Sequence, residues 1–279
     1  MKKKRKFRFH VFLQVIGLVF IAILTIFPIY WTLNVSLLPE REIMRARPHY
    51  FPPPDVANLD SYSEIFTRYD VLRNMFNSII IVVPASLITL MLSFAIAYAV
   101  AKYTFKWKKI FLYGIIWLMA LPWIVYVLPI FQVANSLRLL DTHVLMILLY
   151  GFSGIPLFTW FALPYLYDFP SEMIDAGRLD GCTEIAILLR IVMPTLKNAM
   201  LALFILRFIW AYNDLLYALS FTFHRAKMIM PTLLEFPGYT AMPFAQMAAG
   251  GFIAVLPILL IVIFFQNYVV SGLTGRTFK

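Results

Sequence analysis

From Val11 to Leu38 the chain carries no Asp, Glu, Lys or Arg. A helix of about 20 apolar residues is enough to cross roughly 30 Å of hydrocarbon. Inside lipid no water satisfies the backbone, so a spanning segment must bond its own amides, which selects helices. Asn74–Ala101, Ile110–Leu137 and Thr142–Tyr167 meet the same test, as does a final run within Phe236–Gly275. A sixth stretch, about Asn198–Leu219, meets it apart from Arg207 and Asp214. These runs predict an all-α integral membrane protein with one transmembrane domain over residues 1–279. Its six helices are expected near 11–38, 74–101, 110–137, 142–167, 198–219 and 244–270. Composition agrees: 62% of residues are hydrophobic and 14% charged, where soluble domains carry about 25% charged residues.

Pro28, Pro84, Pro122, Pro129, Pro156 and Pro257 fall inside these runs. In a membrane bundle, neighbouring helices re-satisfy the carbonyls that proline frees, so kinks rather than helix ends are expected. The basic N-terminus, Met1 to Arg8, could begin a signal peptide, but the uncharged run after it is too long and no small-residue cleavage site closes it. It reads as a retained first helix. With both termini taken as cytoplasmic, fifteen Lys and Arg residues fall on the inside and eight on the outside, as the positive-inside rule requires. The net charge of +10 therefore reflects orientation, and nucleic acid is not expected as a partner. Cys182 is the one cysteine, and the four histidines have no metal-ligand spacing. No metal site and no catalytic residue is expected.

Between the fourth and fifth spans lies a polar segment, 168–194, on the expected cytoplasmic side. Pro170 suits a first helical position. Glu172 and Asp175 lie in the first turns, where the helix dipole favours anions. Gly181 suits the left-handed residue that ends a helix. Thr183 can cap a second helix running through Arg190, ahead of Pro194. Met173, Ala176, Gly177 and Asp180 share one face of the first helix. The small Ala176 and Gly177 would let another protein approach the backbone closely. A plain solvated loop is the competing reading.

The segment resembles the coupling loop of permease subunits in binding-protein-dependent ATP-binding cassette importers. That pattern reads E-A-A, three residues, G, nine residues, I-x-L-P. Asp175-Ala176-Gly177 stands for E-A-A, Gly181 follows at the right distance, and nine residues lead to Ile191-Val192-Met193-Pro194. Asp175, Gly177 and Met193 depart from the pattern while keeping charge, small size or apolar character. Further pieces look like the sugar branch, which includes the smaller permease of maltose-type transporters. They are Pro28–Ser36, Asn77-Ser78, Ala97–Lys102, Tyr212-Asn213-Asp214 and Phe265–Thr274, in that order along the chain.

The resemblance implies a type I importer permease fold and a carbohydrate substrate. In that family the short cytoplasmic helix docks in a groove of an ATP-binding subunit. Glu172, Asp175, Ala176, Gly177, Asp180, Gly181 and Pro194 would form this coupling loop, with Gly181 as the turn and Ala176 and Gly177 as the contact surface. Partners would be two ATP-binding subunits, a second permease forming a heterodimer, an external solute-binding protein and membrane lipid. The external segments Pro39–Arg73 and Phe221–Pro243 would contact the binding protein. ATP and magnesium would sit in the partners, since the chain has no G-x-x-x-x-G-K-[ST] loop. Localisation would be the plasma or inner membrane of a prokaryote.

Arg207 and Asp214 lie seven residues apart, on one face of the expected fifth helix. With Tyr212 and Asn213 they could line the solute pathway. Alternatively Arg207 snorkels to the cytoplasmic interface while Asp214 pairs with the second permease. Trp123, Tyr126, Trp210 and Tyr212 could stack on a sugar ring, or could be packing and interface aromatics. Two rival functions remain open. A secondary transporter would couple an intramembrane charge to an ion gradient. A membrane enzyme would need a nucleophile and base that the chain does not display.

Overall fold

A computed structural model of the chain describes residues 2–45, 47–236 and 243–273. Every regular element among them is helical. They are α1 (Lys2–Ser36), α2 (Glu40–Ile43), α3 (Asp60–Arg68), α4 (Val71–Lys102), α5 (Lys108–Ala120), α6 (Ile124–Ser136), α7 (His143–Ser153) and α8 (Ile155–Tyr167). There follow α9 (Ser171–Leu179), α10 (Glu184–Ile187), a π-helical segment (Leu188–Val192), α11 (Met193–Thr195), α12 (Lys197–Tyr212), α13 (Leu216–Phe221), α14 (Ile229–Leu233) and α15 (Phe244–Leu273).

Three uninterrupted helical stretches, Val11–Ser36, Val71–Lys102 and Phe244–Tyr268, are long and apolar enough to cross a membrane. Three bent pairs, α5 with α6, α7 with α8, and α12 with Glu184–Thr195 at the end of the polar connection, pass the same test of length and composition together, which gives up to six candidate spans. The bends are 91°, 45° and 83°. Pro28, Pro84, Pro129 and Pro257 remain within continuous helices. Pro122 breaks its span outright. Leu121, the residue before it, takes ψ 128° and leaves the helix, because the proline ring disfavours helical backbone in its predecessor.

The expected fifth helix is also interrupted. α12 stops at Tyr212, and Asn213-Asp214-Leu215 separate it from α13. The Tyr217 amide donates to Asp214 Oδ2 at 2.9 Å, so Asp214 caps a new helix instead of continuing the old one. Short Asp and Asn side chains compete with the helical ladder in this way.

The residues fall into two compact units. One comprises Met1–Leu72 and Thr232–Leu256, the other Arg73–Pro231 and Pro257–Lys279. In the first unit, Glu42 is buried and bonded to Arg45 Nε and His49 Nε2, each at 3.0 Å. Glu40 Oε1 accepts the Ala245 amide at 2.7 Å in the first turn of α15. No residue in the apolar window of α1 is buried.

The core of the second unit is one cluster. Leu90, Phe94 and Ala97 from one face of α4 meet Phe158, Ala162 and Leu166 of α8. Phe169, Ile174, Ile187, Val192 and Leu196 of the 168–196 connection complete it. In lipid, packing and hydrogen bonding stabilise such contacts more than transfer from water does. The cluster ties the polar connection rigidly to the helices that flank it.

Candidate functional site

The 168–194 connection is a helix, a tight turn and a second helix. α9 ends in a Schellman motif. The Cys182 amide bonds Gly177 O and the Gly181 amide bonds Arg178 O, both at 3.0 Å. Gly181 takes φ +78°, the left-handed conformation that glycine adopts without steric cost. Thr183 then caps α10, accepting the Ala186 amide at 3.3 Å. Pro170 sits just before the helix rather than at its first position. Pro194 falls in continuous helical backbone immediately after the π segment, where the Met193 amide reaches Leu188 O. A proline cannot donate to the carbonyl four residues back and crowds it. The wider π turn accommodates that loss.

Of the site residues predicted here, Glu172, Asp175, Ala176, Asp180 and Gly181 are exposed. Gly177 is not. It is buried, and a Cβ on it would lie 2.7 Å from Ile191 Cδ1 and 3.2 Å from Ile187 Cγ1. Its small size serves the approach of α9 to the helix that follows, not an external surface. The shared face drawn from helical spacing missed this because the second helix folds back over it.

Two features escaped the sequence reading. First, the outer surface of the turn is apolar: Leu179 is 89% exposed and Ile185 71%. Second, an ion-pair network braces the turn. Arg178 Nε donates to Glu184 Oε1 at 2.8 Å and Arg178 Nη1 to Asp175 Oδ1 at 3.1 Å. Tyr98 OH on α4 donates to Glu184 Oε2 at 2.7 Å. The Arg178 hydrogen bond is the main cause that pushes the Glu184 carboxyl down to about 2. Lys102 Nζ bonds Phe169 O at 2.8 Å. The end of α4 is thus fastened to both sides of the connection.

Arg207 does not snorkel. It is 1% exposed. Its Nε reaches Thr89 Oγ1 and its Nη2 reaches Ser153 Oγ, each at 3.3 Å, and Nη2 also bonds Tyr150 O. The guanidinium lies 5.9 Å from the Phe158 ring centroid. Gly154 makes room for it: a Cβ there would meet Arg207 Nε at 2.6 Å. A buried cation is tolerated only where its protons are bonded, and these partners come from α4 and α7. Asp214 is held on the far side of the same residue, accepting from Tyr150 OH at 2.8 Å. Tyr150 therefore joins Arg207 and Asp214 through its carbonyl and its hydroxyl. Tyr212 is buried and stacks on Phe208 at 5.5 Å. Asn213 is exposed, its amide donating to Ile209 O at 2.9 Å. Arg207 and Tyr212 thus belong to the interior of this unit, while Asn213 and Asp214 retain access.

A third constellation was not anticipated. Asp141, at φ +56°, receives four backbone amides of one loop. Phe223 and Ala226 donate to Oδ1, each at 3.0 Å, and His224 and Arg225 to Oδ2 at 3.1 and 2.8 Å. Burial alone would raise the Asp141 pKa; the four amides outweigh it and hold the carboxyl below its ordinary value. Asn77 Nδ2 adds bonds to Arg225 O and Lys227 O at 3.2 and 2.9 Å, and His143 Nε2 meets Asn77 Oδ1 at 2.9 Å. The loop displays Phe223, His224 and Arg225 outward. Among the described residues no cluster of His, Cys, Asp and Glu is placed to hold a metal.

The connection is thus a helix–turn–helix braced on α4, with an exposed apolar tip. Residues 91–275 match the family described as "Binding-protein-dependent transport system inner membrane component". The chain is 31% identical to the arabinooligosaccharides transport system permease protein AraQ of Bacillus subtilis, over 91% of this chain and 90% of that one. It is 28% identical to the trehalose/maltose transport system permease protein MalG of Thermococcus litoralis, over 96% of each. It is 29% identical to the trehalose transport system permease protein SugB of Mycobacterium tuberculosis, over 90% of this chain and 92% of that one. The fold matches a chain from the crystal structure of a bacterial ABC transporter involved in the import of the acidic polysaccharide alginate. The TM-score is 0.77 at 18% identity, covering 94% of this chain and 96% of that one. The family match spans most of the chain and includes the whole 168–194 connection, so this protein belongs to the binding-protein-dependent transport system inner membrane components.

Proposed function

We propose that the chain forms half of the membrane pathway of an ATP-driven importer for sugars or oligosaccharides. As a permease subunit it is the non-catalytic transmembrane component of that complex. Hydrolysis would occur in two partner ATP-binding subunits, and a second permease would complete the pathway. An external solute-binding protein would deliver the sugar. The observation that carries this reading is the braced turn at Gly181, with Leu179 and Ile185 exposed on its surface. An exposed apolar tip on an otherwise polar connection marks a docking surface, and the Arg178–Glu184 pair would stiffen it for transmitting a push.

The basic-residue asymmetry supports placing both termini and the 168–194 connection in the cytoplasm. The loop clasped by Asp141 would then lie outside, where Phe223, His224 and Arg225 would meet the binding protein. The carbohydrate assignment rests on the relatives, whose names give arabinooligosaccharides, trehalose and maltose as their substrates.

Mild-detergent purification from native membranes, followed by reconstitution, tests the proposal. ATP-binding and second permease subunits should co-purify, and sugar uptake into vesicles should require ATP and the binding protein. Uptake that follows a proton or sodium gradient without ATP would overturn it.

A further inference from the structure

We infer that the broken third span holds a carbohydrate-stacking site within this subunit, at a cavity where Trp123, Tyr126, Tyr217 and Ser153 join a largely apolar lining. The inference rests on the function proposed above and deepens it by placing a sugar subsite in this chain. The cavity has a volume of about 380 Å³, within the range of small-molecule sites. Trp123 and Tyr217 stack at 5.8 Å with 19° between their planes. A neighbouring cavity of about 240 Å³ shares Leu118, Trp123, Ser153 and Pro156 with the first and adds Trp210. Two tryptophans and two tyrosines therefore line two adjoining cavities.

The backbone explains why the space exists. Pro122 lies at the break where α6 turns from α5 by 91°, and Leu118 and Trp123 on either side of that break line the cavity. Irregular backbone at membrane depth is tolerated where it lines a cavity. The Ser153 hydroxyl in the lining is oriented too. Ser153 Oγ donates to Tyr150 O at 3.4 Å and accepts from Arg207 Nη2 at 3.3 Å. A hydroxyl has two lone pairs, so one is left to accept from a ligand hydroxyl.

Aromatic rings with polar handles suit a sugar, whose apolar C–H face stacks while its hydroxyls bond at the edge. The contrast with another groove of this unit is informative. That groove, about 330 Å³, is lined by Leu87, Leu90, Met91, Met200, Leu201 and Phe204 with Lys197. Its aliphatic wall and single cation suit a lipid chain and headgroup. The Trp123 cavity also has aliphatic residues in its wall, but it adds three aromatic rings with polar handles and the Ser153 hydroxyl.

The test uses the assembled transporter in vesicles, with Cys182→Ser as background and a single cysteine placed at the cavity wall by Leu149→Cys. The sugar is whichever member of a trehalose, maltose and arabinotriose panel the background transporter imports with ATP. Saturating amounts of it should slow maleimide labelling of Leu149→Cys by tenfold or more, while a sugar that is not imported has no effect. Trp123→Leu should raise the half-saturating sugar concentration for uptake by about tenfold, and Trp123→Phe, which keeps a ring, by less. Labelling that ignores the imported sugar overturns the site and leaves the importer reading intact. Labelling blocked in the assembly without sugar, because the second permease or lipid fills the cavity, overturns it equally. If no panel sugar is imported, the carbohydrate reading and the site fall together.

Discussion

Replacing Gly181 by valine isolates the backbone requirement of the turn. An added Cβ meets nothing within 4 Å, so the substitution creates no clash with the rest of the chain. What it changes is the conformational energy of a residue at φ +78°. For an L-residue the left-handed region costs about 1–2 kcal/mol, and β-branching puts valine at or above the upper end. Each 1.4 kcal/mol is about a tenfold change in population. The two Schellman hydrogen bonds from Gly181 and Cys182 form only if the turn keeps this geometry. Gly181→Val should therefore reduce the population of the native turn by tenfold or more relative to opened forms. ATP-driven uptake in reconstituted vesicles should fall severely while the amount of protein in the membrane is unchanged. Gly181→Asn is the control, since asparagine tolerates the left-handed region; it should retain most of the uptake. Normal transport by the valine variant would refute the reasoning. So would an asparagine variant as defective as the valine, because the side chain rather than φ would then be responsible.

Other perturbations probe the remaining parts. Gly154→Ala places a Cβ 2.6 Å from Arg207 Nε and 2.9 Å from Thr89 Cγ2. It should cost about 1–3 kcal/mol of stability, read as a lower melting temperature in detergent. Arg207→Leu should be worse, because it strips the bonds to Tyr150 O, Thr89 and Ser153, and hydrogen bonds from a charged group are worth about 1.5–3 kcal/mol each; an unchanged melting temperature would contradict the assigned network. Leu179→Asp should weaken capture of the ATP-binding subunit by roughly ten- to a hundredfold, since burying such a side chain is worth about 1.5–3 kcal/mol, with no loss of membrane insertion. Asp141 has a depressed pKa, so its stabilisation is complete above the ordinary carboxylate value and is lost as pH falls through the lower folded one. Amide exchange at residues 223–226, corrected for intrinsic rates, should therefore accelerate on acidification over that window. Asp141→Asn should show fast exchange at every pH.

The reasons some features were legible and others not are physical. The left-handed turn at Gly181 and the cap at Thr183 depend on residues within a few positions of one another, so local chemistry revealed them. The apolar runs were equally plain, yet their continuity was not. Pro122 ends a helix while Pro129 and Pro257 remain inside theirs, and that choice depends on what surrounds each freed carbonyl. The direction of Arg207 was invisible for a similar reason. A long cation near a helix end turns outward unless the interior offers acceptors, and the acceptors here come from residues Thr89, Tyr150 and Ser153, distant in sequence. Gly177 was assigned to the wrong side because helical spacing shows which residues share a face but not what covers it. Asp141 binds amides more than eighty residues away, and no local pattern announces such a clasp.

The central claim is that the turn after α9 docks on an ATP-binding subunit. A photo-crosslinking amino acid placed at Leu179, in native membranes containing the whole transporter, tests it most directly. Illumination should give one major adduct containing the ATP-binding subunit. Adducts only with lipid, or only with a second copy of this chain, would contradict the account.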